Sequence, residues 1–148
     1  MKKVAILGKL HTKFEAPFDD YTFDIWTYNY HADCYKLPRI TTWFDLHKVK
    51  PNPRADITQL NFPFDKCIDL IGGKYFNNTA SWLIAYAILK KYKEIHLYGM
   101  RFQSDMEQRF LQYENVRELL FFAKGKNIIV KAPYDTIMLS QYPLYGLE

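Results

Sequence analysis

The sequence predicts an α/β domain built on a mainly parallel sheet. Short runs of β-forming residues alternate along the chain with segments of helical period, the signature of strands joined by helical crossovers. The first run, Val4 to Leu7, is apolar at every position and stops at Gly8. An unbroken apolar run marks a strand buried on both faces, as in a parallel sheet covered on each side. A length of 148 residues suits one domain with a core of its own, so residues 1–148 are expected to form a single unit.

The remaining elements follow from local composition. The stretch FDIWTYNY, residues 23–30, is rich in β-formers and reads as a second strand. RITTWFDLH, residues 39–47, reads as a third, with Trp43, Asp45 and His47 on one face and Phe44 and Leu46 on the other. VKPNPRAD is a proline- and asparagine-punctuated loop, followed by a short strand at Ile57 to Leu60. The period then changes: Phe64, Cys67, Ile68 and Ile71 are spaced for a helix that Gly72 and Gly73 stop. Asn78 and Thr79 are suited to cap the strong helix ASWLIAYAILKKY, whose stripe of Trp82, Leu83, Tyr86 and Leu89 reads as core. EIHLYGM is a strand, residues 107–127 an amphipathic helix closing at Gly125, and NIIVKAP the last strand before a loop to Glu148.

Composition excludes several classes. The net charge of +4 is mild, and only Lys90, Lys91 and Lys93 form a basic run, so duplex nucleic acid is not the expected partner. No segment approaches membrane-spanning length, and the apolar part of MKKVAILGKL is too short for a signal peptide. Cys34 and Cys67 lack metal-ligand spacing and read as reduced thiols of a cytoplasmic protein. No metal constellation appears, and no cofactor is required. Aromatic residues make up 18% of the chain, more than one small core needs, so a homo-oligomer is expected. His31 and His96 read as structural or surface groups.

Open parallel sheets bind ligands beyond the carboxyl ends of their strands. Those ends here carry Gly8, Asn29, Asp45 with His47, and Gly99 with Arg101. The amino end of the helix at Thr79 would add free backbone amides with the hydroxyls of Thr79 and Ser81, suited to an anion. Lys9 and His11 stand in the first loop, where they would either add positive charge near a phosphate or be solvated. Asp45 would orient His47 as a general base or acid.

The segments KVAILG, IWTYNY, RITTWFDLH, KYFNNTASWLIAYAI, YKEIHLYGM, QYENVR and LYGLE together resemble a family of small Rossmann-like proteins encoded by bacteriophages. More distantly, FNNTASWLIAYAILKKYKEIHLYGMRF is similar to a stretch of bacterial sialyltransferases that use a CMP-linked sugar, and to pterin-pyrophosphokinase-like proteins. This resemblance implies a Rossmann-like three-layer domain. It also implies that Gly8, Asn29, Thr79 and Ser81 hold a nucleotide, with Tyr113 and Arg117 keeping the pattern of the late helix. Gln112 stands where that family has an acid, and RFQSDMEQ replaces a long lid that carries a catalytic histidine. Sialyl transfer is therefore not expected. Two function classes follow. One is a nucleotide-binding enzyme of glycosyl or phosphoryl transfer or hydrolysis using His47. The other is a non-catalytic protein that sequesters a host nucleotide signal or binds a protein partner.

Overall fold

The computed structural model describes residues 2–100, 107–132 and 146. Arg101 and nearly all of the expected C-terminal loop lie outside the described residues. The strands are β1 (Lys3–Leu7), β2 (Phe23–Tyr28), β3 (Thr42–Asp45), β4 (Ile57–Thr58), β5 (Glu94–Tyr98) and β6 (Ile129–Lys131). The helices are α1 (Phe64–Ile71), α2 (Thr79–Leu89) and α3 (Glu107–Gly125). All strand pairs are parallel, in the order β4-β3-β2-β1-β5-β6. The chain first builds outward from β1 to β4, then crosses over to add β5 and β6 on the other side. This is a Rossmann-like α/β sheet whose order reverses between β1 and β5.

Right-handed crossovers place the two halves of such a sheet's connections on opposite faces. One face of the sheet carries Val4, Ile6, Trp26, Phe44, Ile95 and Leu97, packed against buried residues of all three α-helices such as Cys67, Leu83, Ile84 and Leu119. The opposite face, with Ala5, Leu7, Phe23, Ile25 and Tyr98, is covered by Ala16, Phe18 and Leu37. Those come from the β1–β2 and β2–β3 connections, which hold only short 3₁₀ helices over His11–Glu15 and Cys34–Lys36. The third layer is thus made of loops and 3₁₀ turns.

The expected boundaries shorten for identifiable reasons. β2 stops at Tyr28 because Asn29 turns to φ 61°. β3 begins at Thr42 because Arg39 is drawn off to bond the carbonyls of Phe18, Asp20 and Phe23. The Thr41 hydroxyl, not its strand backbone alone, engages Ile25. Gly72 ends α1 in the left-handed conformation at φ 79°. α2 is buried around most of its girth, and Trp82 stacks face to face on Phe76 with centroids 3.8 Å apart. No helix among the described residues is long and apolar enough to cross a membrane.

Candidate functional site

A cleft of about 1190 Å³ opens at the carboxyl ends of the strands. Its walls come from four places: Lys9, Leu10, Gly99 and Met100 after β1 and β5; residues 28–31 and Tyr35 after β2; Asp45, His47 and residues 50–54 after β3; and residues 77–80 at the start of α2. Gln112 of α3 completes it. This is where a reversal in strand order leaves a crevice, because the connections diverge to opposite faces.

The β3 wall is organised by Asp45, which is buried at 3% exposure. Its Oδ1 accepts the backbone N–H of His47 at 3.0 Å and pairs with His47 Nδ1 at 2.7 Å. Its Oδ2 accepts the backbone N–H of Asn52 at 2.8 Å. An ionised carboxylate can only accept, so Nδ1 is the donor here, and in the neutral ring that leaves the lone pair on Nε2. The His47 side chain is 60% exposed, a ring anchored at one nitrogen and open at the other. Asp45 and His47 are brought together as expected, but not by strand alternation: β3 ends at Asp45, and His47 beyond it is brought round by the hydrogen bonds themselves.

Asn29 closes β2. Its N–H bonds the Phe44 carbonyl at 2.8 Å, and its own carbonyl accepts the Trp43 indole N–H at 2.6 Å. Both backbone groups are thus tied to β3, and asparagine tolerates the left-handed backbone this requires. At α2, Asn78 is the N-cap: its Oδ1 accepts the Ser81 N–H at 3.0 Å. Thr79, the first helical residue, lines the cleft with Lys9.

Other expected site residues fall elsewhere. Ser81 is fully buried and its hydroxyl accepts from Asn78 Nδ2 at 2.9 Å, so it is taken up by the Asn78 cap and is not part of the cleft wall. Gly8 is absent from the wall as well; a Cβ there would sit 2.5 Å from the Gly99 carbonyl oxygen. Glycine is required by the pressing together of two strand ends. Tyr113 packs against the helix-covered core and Arg117 lies over the Phe121 ring at 5.1 Å, both on α3 away from the cleft lining. His11 packs against Phe14. His96 is structural: its Nε2 pairs with Glu94 at 2.7 Å inside the sheet.

Sequence reasoning missed the opposite rim. Lys13 is completely buried, and its ammonium donates to Asp33 Oδ1 at 2.5 Å and the Lys9 carbonyl at 3.0 Å. His31 Nδ1 lies 3.1 Å from the same Asp33 oxygen, and the ring lines the cleft. The Lys13 hydrogen bond holds the Asp33 carboxyl down to about 2. Burial pushes the His31 imidazole below its usual range against the pull of Asp33. Burial likewise raises the Cys34 thiol, whose Sγ lies 3.0 Å from His31 Nδ1, and raises Cys67 to about 11. Lysine and aspartate twenty residues apart carry no spacing signal.

Among the described residues, no cluster of three His, Cys, Asp or Glu side chains is placed to hold a metal. The cleft's chemistry is that of cationic and neutral hydrogen-bonding groups beside exposed tyrosine rings. No protein-family model, curated protein or solved structure matches the chain.

Proposed function

We propose that the protein binds a nucleotide or nucleotide derivative in the cleft at the carboxyl ends of its strands. The observation that carries this is the lining itself. Lys9, Lys50 and Arg54 stand around a cleft bounded by the amino end of α2, while the one acid among its described lining residues, Asp45, is buried and already surrounded by donors. Cations and free helix amides favour phosphate. Tyr30 and Tyr35, 63% and 64% exposed on the same wall, offer rings on which a base can stack. The resemblance read from the sequence alone points to the same ligand class and extends the proposal to a phage protein acting in the host cytoplasm.

The anchoring of His47 by Asp45 favours turnover as a second reading. A neutral imidazole with Nε2 open is poised to take a proton from water or a hydroxyl attacking a glycosyl or phosphoryl centre. A thermal-shift screen with nucleoside mono- and diphosphates, nucleotide sugars and cyclic dinucleotides tests binding, since a ligand specific to the folded state raises the melting temperature by mass action. Binders incubated with the protein and analysed for products then test turnover. A screen without any shift would remove the nucleotide reading.

A further inference from the structure

Among the described residues, two buried side-chain polar atoms have no hydrogen-bond partner: Asn29 Oδ1 and Asn52 Nδ2. Both residues line the cleft. A buried polar group without a partner is costly, and natural structures keep few of them. Finding both on the wall of one cleft, one an acceptor and the other a donor, calls for a cause in that cleft.

The Asn29 backbone and the Asn52 amide are each fixed by bonds that leave these two side-chain atoms over. The backbone of Asn29 is fixed on β3 at both its N–H and its carbonyl, in a left-handed conformation that breaks the strand's alternation. Asn52 is 8% exposed; its N–H is committed to Asp45 and its Oδ1 accepts the Arg54 N–H at 3.0 Å. That last bond also settles the orientation of the amide, because an N–H needs an oxygen opposite it. The leftover atom of Asn52 is therefore the NH₂ group. The terminal torsion of asparagine is broad, so a small rotation turns either atom toward a ligand.

We infer that Asn29 and Asn52 recognise the edge of a nucleobase, Asn29 Oδ1 accepting from a donor on that edge and Asn52 Nδ2 donating to the acceptor beside it. Base edges present adjacent donors and acceptors, which is the complement the two amides lack. The inference rests on the nucleotide reading and deepens it: phosphate is held by the charged rim, and the base by the two orphaned amides. Sites built to hydrogen-bond a ligand group reject analogues lacking it, because their buried partners are then left unpaired.

The test is calorimetric titration of the full chain with CMP, UMP, AMP, GMP and ribose 5-phosphate. Wild-type protein should bind at least one of the nucleotides at least tenfold more tightly than ribose 5-phosphate. Asn52→Ala should weaken that nucleotide by roughly tenfold and leave ribose 5-phosphate unchanged. Asn29→Gly, which keeps the left-handed backbone without strain, should do the same, so a folding defect in one variant does not decide the matter. Ribose 5-phosphate binding as tightly as every nucleotide would overturn the base-edge pairing while leaving a phosphate site. Equal weakening of nucleotide and ribose 5-phosphate in both variants would assign the amides to sugar or phosphate and overturn it too. Unchanged nucleotide binding in both folded variants would overturn the base-edge pairing as well. Failure of wild-type protein to bind any of the five would overturn recognition of a simple nucleotide's base here, whereas the nucleotide reading itself fails only if the wider thermal-shift screen is also blank.

Discussion

Asp45 and His47 are joined twice, through the backbone N–H at 3.0 Å and the ring Nδ1 at 2.7 Å, both to the same carboxylate oxygen. The ring is thereby held in one tautomer while remaining mostly exposed. His47→Ala should leave stability within about 0.5 kcal/mol, as for a surface substitution, and abolish ligand binding or turnover. Asp45→Ala should instead cost about 2–3 kcal/mol, because it strands the N–H groups of His47 and Asn52. Chemical denaturation of the two variants checks the contrast. A destabilised His47→Ala protein with normal ligand binding would make His47 structural.

Lys13 and Asp33 give a second contrast. Removing Asp33 leaves the fully buried ammonium of Lys13 without its carboxylate, whereas Lys13→Met removes the charge and keeps the volume. Asp33→Ala should therefore be the more destabilising of the two, and Lys13→Met with Asp33→Ala together should be less damaging than Asp33→Ala alone. Melting temperatures of the three variants decide this.

Acid should weaken the fold in two stages. Burial holds His31 and His96 below the usual imidazole range, so each binds a proton less readily folded than unfolded. Their contribution is present above about pH 6.5 and is lost as pH falls through the lower folded values. Asp33 has the same sign at lower pH. Held to about 2 by Lys13, it contributes above the ordinary carboxylate value near 4 and loses this as pH falls toward 2. Melting temperature measured from pH 8 to pH 2 should fall below pH 6.5 and again below about pH 4; a level profile from pH 7 to pH 5 would contradict the histidine assignments.

Gly8→Ala should cost about 1–3 kcal/mol, since its Cβ would meet the Gly99 carbonyl oxygen at 2.5 Å and Met100 Cγ at 2.8 Å. An equilibrium unfolding curve superimposing on wild type would show that the two strand ends yield freely.

The expected homo-oligomer is tested by light scattering at micromolar protein, where a monomer would count against it.

What the sequence made legible was local. The apolar period placed β1 and α2, Gly72 marked the end of α1, and Asn78 announced the helix start because each of these signals acts within one turn of chain. The two-residue spacing of Asp45 and His47 was visible too, although the bonds from the Asp45 carboxylate, not strand alternation, bring the ring round. What was not legible depended on pairing across the fold. Lys13 and Asp33 meet only because the first two crossovers are 3₁₀ turns packed on one face. Gly8 looked like part of a ligand loop until Gly99 was found against it. Ser81 looked like an anion-binding hydroxyl, yet its burial beneath the Asn78 cap depends on how α2 is packed. Asn52 gave no signal at all, being one polar residue in a polar loop.

The most direct measurement of the central claim is amide chemical-shift mapping by NMR during titration with the nucleotide that gives the largest thermal shift. Saturable shifts confined to Asn29, His31, His47, Asn52 and Thr79 would place a nucleotide in the cleft, as this account predicts. Shifts centred on the exposed face of α3 around Phe121 with the cleft residues unmoved, or no saturable shifts with any nucleotide, would contradict it.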